Sequence, residues 1–199
     1  MGGYGSRFWD WVEEGKSGKR LVPYYSCGNG SAMRIAPVGW LSSKVPFRSE
    51  KLVLDYSKKS AECTHNHPEG IKGAVVTATC IWMAKHGKGK QEIYDYVLAQ
   101  YPVSDYEYSI GYSLDEIRPR YKWNESCQGS VPAAMRCFYE SSDYESFIRN
   151  IYSLPCDSDT FGAIAGGVAE EFYGGFGGVD AEGIIKKQLD DYLYEILMK

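Results

Sequence analysis

The sequence predicts an all-α fold, a compact helical bundle in one domain spanning residues 1–199. Three observations lead there. Apolar residues recur at a helical period through most of the 199 residues. Glycines and prolines punctuate those stretches at helical lengths. No internal repeat, linker or low-complexity tract divides the chain.

The elements follow in order. Arg7 to Glu14 forms a short helix with Phe8 and Trp11 on one face, broken by Gly15 to Gly18. Pro23 to Gly39 is rich in Gly, Ser and Pro and reads as an irregular loop leading into a short turn. Ser49 to Cys63 is a helix whose Leu52, Tyr56, Ser60 and Cys63 fall on one face. Pro68 suits the first turn of the next helix, which runs to about His86 with Ile71, Val75, Ala78 and Trp82 aligned. Lys90 to Tyr101 carries Ile93, Val97 and Tyr101. Val103 to Gly129 is the least regular stretch, with short strands expected around Tyr121 to Trp123. Helices resume at Val131 to Glu140 and at Tyr144 to Leu154, the second capped by Asp143. Thr160 to Tyr173 is a Gly/Ala-rich helix preceded by Asp157. Its internal glycines each cost roughly 1 kcal/mol against Ala, so close approach of a backbone or a ligand is expected to offset them. A single last helix, 181–198, aligns Ile185, Leu189, Tyr192 and Ile196.

Composition excludes several classes. The formal net charge is −4 and no basic stripe occurs, so general nucleic-acid binding is not expected. No apolar run reaches the roughly 18 residues of a membrane-spanning helix, and the N-terminus lacks the pattern of a secretory signal. None of the 6 cysteines forms a Cys-x-x-Cys pair. Reduced thiols in a cytoplasmic setting are the expectation.

Four strings could carry chemistry. Asp157-Ser158-Asp159-Thr160 either caps the helix that follows or offers two carboxylates and a hydroxyl to a hard cation such as Mg²⁺ or Ca²⁺. Gly28-Asn29-Gly30-Ser31 either makes a plain turn or lets glycines with positive φ crowd backbone N–H groups round an anion or a sugar. Thr64-His65-Asn66-His67-Pro68 places two imidazoles at i, i+2, which suit polar contacts to a ligand or backbone better than a zinc site. Ser126-Cys127-Gln128-Gly129-Ser130-Val131-Pro132 reads as a helix N-terminus with Pro in its first turn. Cys27, Cys127 and Cys156 lie beside these loops, but nothing in the sequence lowers a thiol pKa there.

Taken in order, Gly28 to Arg34, Thr64 to Gly70, Ser126 to Pro132 and Asp157 to Thr160 with its Gly/Ala helix resemble the ADP-ribosylglycohydrolase family, which includes dinitrogenase-reductase-activating glycohydrolase. The resemblance spans about residues 1–178. It implies an all-α fold, two magnesium ions, and hydrolysis of the bond between C1 of the distal ribose of ADP-ribose and an acceptor. It further implies Asp157, Asp159 and Thr160 as metal ligands, Gly28, Asn29, Gly30 and Ser31 as contacts to ADP-ribose, and His65 against the nucleotide. It leaves the catalytic residue unassigned.

The chain also departs from the family pattern. The family's leading segment, with a Gly-Asp element, an acidic residue linked to catalysis and a Thr-Asp-Asp string, has no counterpart here. Asp190-Asp191 follows Leu189 on the last helix and reads as a solvated face. Two Mg²⁺ bring four positive charges, and Asp157 and Asp159 offset two of them. The expectation is an N-terminally incomplete domain holding at most a half-site. It would expose apolar surface and tend to self-associate. The alternative is a non-catalytic ADP-ribose-binding or degenerate helical module.

Overall fold

The computed structural model describes residues 5–41 and 49–198, which form twelve helices and no strand. They are α1 (Ser6–Lys16), α2 (Gly30–Met33), α3 (Ala36–Leu41), α4 (Glu50–Glu62), α5 (Pro68–Lys85), α6 (Lys90–Gln100), α7 (Leu114–Ile117), α8 (Cys127–Tyr139), α9 (Tyr144–Tyr152), α10 (Ser158–Tyr173), α11 (Ala181–Gln188) and α12 (Asp191–Leu197).

Helix α5 is the axis of the bundle. It touches α2, α3, α4, α6, α8 and α10. A helix enclosed on that many sides must be apolar all round rather than along one stripe. Gly73, Ala74, Val76, Ala78, Cys80 and Ile81 are accordingly all buried, so the aligned set Ile71, Val75, Ala78 and Trp82 captures only part of its packing. Gly73 lies where α8 crosses, and a Cβ there would overlap the Cys127 side chain. The main core joins α5 to α6, α8, α9 and α10 through Ile93, Val97, Met135, Phe138, Phe147, Ile164 and Val168. A smaller core of Ile35, Val53, Ala61, Ala74 and Ala78 ties α3 and α4 to the other side of α5.

Several expectations need correction. The buried face of α4 is Val53, Ser57 and Ala61, one residue on from Leu52, Tyr56 and Ser60, and Tyr56 is 46% exposed. One residue turns a helix by about 100°, so either register looked amphipathic. No strand forms at Tyr121 to Trp123; the extended backbone instead supplies one isolated bridge, Gly28 to Ser126. Helix α8 starts at Cys127 rather than Val131, with Ser126 Oγ accepting from Gly129 N–H at 3.2 Å. Pro132 therefore lies inside the helix and not in its first turn. The C-terminal segment is two helices, because Leu189 is extended and Asp190 caps α12 by accepting from Leu193 N–H. Neither α11 nor α12 buries a residue, and Leu193, Ile196, Leu197 and Met198 remain exposed. Among the described residues no helix is long and apolar enough to cross a membrane, and all six cysteines are free.

Candidate functional site

The fold gathers the four strings at one end of α5. Cys127 N–H donates to Cys27 O at 2.9 Å, and Asn29 N–H donates to Glu125 O at 2.8 Å. Those two bonds lay the 27–29 loop along the entry to α8. The Asn29 amide donates to Ser130 Oγ at 3.0 Å. Cys127 Sγ donates to Gly28 O at 3.1 Å. Ser31, 1% exposed, donates its hydroxyl to Gly70 O at 2.7 Å, so that side chain is committed to joining α2 to α5.

Each residue of the Thr64 to His67 string holds this loop in place. Thr64 O accepts from Ser26 N–H, and Asn66 Oδ1 accepts from Tyr25 N–H at 2.7 Å. His67 caps α5, its Nδ1 accepting from Glu69 N–H at 3.1 Å, while its ring meets Tyr25 edge-on. His65 is 6% exposed, and its Nδ1 lies 2.7 Å from Thr64 Oγ1. Its Nε2 faces the glycine loop: a Cβ built on Gly28 or Gly30 would stand 3.5 and 3.4 Å from it. Burial, with the Arg34 charge nearby, pulls the His65 pKa down to about 4, so the imidazole is neutral at physiological pH.

These contacts revise the account of the Gly-Asn-Gly loop. Neither Gly28 nor Gly30 has positive φ. They leave room for the His65 ring instead. The N–H groups of Gly28 and Asn29 already donate to Ser26 Oγ and Glu125 O, so they make no anion nest. The left-handed residue is Tyr25, at φ 57°, a conformation few non-glycine residues adopt. The Asn66 bond and the His67 ring hold it there. His65 and His67 are not joined by a third His, Cys, Asp or Glu into a metal-holding group among the described residues.

The acidic string lies across from this loop. Asp157 occupies the N-cap position of α10, yet its side chain makes no capping bond. Thr160 Oγ1 donates to Asp157 Oδ2 at 3.1 Å and lies 3.5 Å from Met33 Sδ at the end of α2. That contact spans 127 positions and joins the acidic string to the glycine loop. Asp159 accepts from Thr160 N–H at 2.7 Å. Interaction between the Asp157 and Asp159 side chains raises the Asp157 pKa and lowers that of Asp159; burial and the Glu125 charge push Asp157 up further. Among the described residues no lysine or arginine pairs with either. The donors are hard oxygens crowded without a countercharge, which is what a Mg²⁺ ligand set supplies. They are also few: among the described residues no three His, Cys, Asp or Glu side chains converge on one point.

Neither Cys127 nor Cys156 is an activated thiol. Burial pushes the Cys127 pKa up to about 12 and Cys156 to about 11, the reverse of a nucleophilic cysteine. Of the α10 glycines, only Gly167 meets a tight neighbour, Ile81 Cδ1 at 3.2 Å. Gly162, one turn from the acidic string, has nothing within 4 Å of a built Cβ.

The ADP-ribosylglycohydrolase family model matches residues 3–177. The chain belongs to the ADP-ribosylglycohydrolase family. It is 26% identical over 189 residues to human ADP-ribosylhydrolase ARH3, covering 75% of this chain and 51% of that protein. An uncharacterized protein of Archaeoglobus fulgidus is 27% identical over 152 residues, covering 70% of this chain and 47% of its own length. The chain thus spans about half the length of the curated relatives it matches. A solved structure described as an ADP-ribosylglycohydrolase-related protein complex superposes with a TM-score of 0.64 at 22% identity, over 94% of this chain and 62% of that one. It shows the same fold.

Glu125 was not singled out from the sequence, and Arg34, Thr64 and Asn66 were given no separate role there. Arg34 and Thr64 stood inside the strings that carried the resemblance, but only the folded chain shows what they touch.

Proposed function

We propose that this chain acts in hydrolysis of the glycosidic bond joining ADP-ribose to an acceptor, with Asp157, Asp159 and Thr160 as magnesium ligands and His65, Gly28, Asn29, Gly30 and Ser31 at the ADP-ribose. The observation that carries this reading is the contact of Thr160 with Met33, which sets the acidic string beside the Gly28 to Ser31 loop. Magnesium, when bound, would orient ribose hydroxyls and lower the pKa of a water. The chain's own residues do the rest. Asp157 and Asp159 supply negative charge at the start of α10, and the Thr160 hydroxyl keeps Asp157 aimed. Neutral His65 offers a hydrogen bond without adding charge. Gly28 and Gly30 let that ring lie against the loop. Ser31, its hydroxyl turned inward, would meet a ligand through its backbone.

A second reading has its own support. Two carboxylates offset half the charge of two Mg²⁺, and Glu125, though near enough to act on Asp157, does not converge with them on one point among the described residues. In that reading the chain binds ADP-ribose without cleaving the bond. Calorimetry with ADP-ribose, with and without Mg²⁺, together with release of ADP-ribose from a modified protein, tests both. Mg²⁺-dependent release is the outcome expected of the first reading, and binding without release that of the second. Robust Mg²⁺-dependent release would overturn the half-site argument, and absence of any ADP-ribose binding would overturn both readings.

A further inference from the structure

The loop that carries Gly28 to Ser31 meets the start of α8 at one isolated antiparallel bridge, Gly28 to Ser126. In an antiparallel pairing the residue before one partner stands opposite the residue after the other. Cys27 therefore faces Cys127, and Cys127 N–H donates to Cys27 O at 2.9 Å. Residues paired in this way have Cα atoms about 5.5 Å apart, inside the span of about 4.4–6.8 Å that a disulfide bridges. Both thiols are free, but their access differs: Cys27 is partly exposed and Cys127 is fully buried under the loop. They are near enough for charge on Cys27 to raise the Cys127 pKa. Cys127 Sγ donates to Gly28 O at 3.1 Å and lies 3.4 Å from Ser31 Oγ. Helix α5 closes off another side of that sulfur, since a Cβ on Gly73 would lie 2.3 Å from it.

We propose that Cys27 and Cys127 are a reversible redox pair, closed by hydrogen peroxide, and that closure displaces the Gly28 to Ser31 loop from the position in which it meets a ligand. The more accessible sulfur reacts first. The Cys27 thiolate attacks one peroxide oxygen: an S–O bond forms, the O–O bond breaks, and the other oxygen leaves as hydroxide, which takes up the proton the thiol gave and becomes water. Cys27 is now a sulfenic acid. The Cys127 sulfur attacks it: the S–S bond forms, the S–O bond breaks, and the departing hydroxide carries off the Cys127 proton as a second water. The two thiols lose two electrons and the peroxide gains them. Cys127, buried and weakly acidic, is a poor nucleophile toward solvent, but its target is held opposite it. Closure must shorten a Cβ separation of about 5 Å to about 3.8 Å. Packing against Gly73 keeps Cys127 from yielding, so the loop moves, and Gly28 O loses the thiol proton it accepts. A bond made under such strain is readily reduced, which suits a switch. The identity of the ligand rests on the function proposed above; the redox pair does not.

The test is peptide mapping without reduction, after the chain has met hydrogen peroxide and its remaining thiols have been alkylated. A linked pair of peptides carrying Cys27 and Cys127 is expected, released by dithiothreitol and absent from Cys27→Ser. Cys63→Ser, which removes the exposed thiol, should leave the link intact. Amide exchange at Gly28 to Ser31 reads the loop directly and should change on oxidation. ADP-ribose affinity should fall about tenfold, what one lost hydrogen bond is worth, return with dithiothreitol, and be indifferent to peroxide in Cys27→Ser. Cys27 oxidised without a link, Cys27 linked to Cys63 instead, or a link that leaves the loop's amide exchange or the affinity unchanged would overturn the proposal. Failure of ADP-ribose to bind the reduced chain, while the link forms and the loop responds, would instead remove the functional reading and leave the redox pair standing.

Discussion

The two halves of the site are built on opposite principles. On the His65 side, the polar groups that shape the loop are paired within the protein. Thr64, Asn66 and His67 each grip the 24–30 loop, and Ser31 and Cys127 tie it to α5 and α8. On the acidic side, Asp157 declines the capping bond its position offers and meets Asp159 instead. One half is finished by the fold. The other keeps two carboxylates in mutual conflict that a cation would relieve. Stability should therefore depend on the first half, and response to added ligand on the second.

The largest effect should come from breaking the finished half. A Cβ on Gly70 would lie 2.5 Å from Ser26 O and 3.0 Å from the His65 Cβ, neither of which can yield without moving the loop. Gly70→Ala is expected to cost about 3 kcal/mol, read from urea denaturation. A loss under about 1 kcal/mol would mean that the loop adjusts freely.

Next comes pH. His65 is a base whose folded pKa, about 4, lies below its unfolded value of 6.5. The unfolded chain takes up the proton first, so the contribution to stability is present above pH 6.5 and lost as pH falls toward 4. Between pH 7 and 5 the loss should be about 2 kcal/mol. His65→Gln should flatten that part of the profile, and an unchanged slope would place the ring in water.

The acidic half should respond to metal rather than to pH near neutrality. At Mg²⁺ tenfold above its Kd, stability should rise by about 1.4 kcal/mol, reversed by EDTA and abolished in Asp157→Ala. A thermal shift that survives this substitution would move the ion elsewhere. The smallest effect is at Gly162, where a Cβ meets nothing within 4 Å. Gly162→Ala should stabilise α10 by about 1 kcal/mol. If ADP-ribose binding weakens as stability rises, that open space belongs to the ligand.

Much of the helical order was readable because its causes are local. Asp143 accepts from Ser146 N–H as a cap, Pro68 opens α5, and Ile93, Val97 and Tyr101 share the buried face of α6. The failures also have physical reasons. Pro132 suggested a helix start, but α8 accommodates it inside, and Ser126 supplies the actual cap. The α4 face was misplaced by one residue because Ser57 and Ala61, small or polar, are buried against α5 where Leu52 and Tyr56 are not. The continuous apolar rhythm of 181–198 hid the extended Leu189 and the Asp190 cap.

The site divides in the same way. The residue strings were legible, since Gly28 to Ser31, Thr64 to His67 and Asp157 to Thr160 are contiguous and their types limit their chemistry. By itself the sequence determined that carboxylates and a hydroxyl stand together at the start of a glycine-rich helix, and that this order of strings resembles one family. Only the tertiary structure decided what each residue does. It turned the Ser31 hydroxyl inward, moved the strained backbone to Tyr25 and set Arg34 behind Thr64. The reason is that hydrogen-bond roles depend on partners from elsewhere in the chain, such as the 30 positions between Arg34 and Thr64 or the 127 between Met33 and Thr160, and those partners meet only where helices cross.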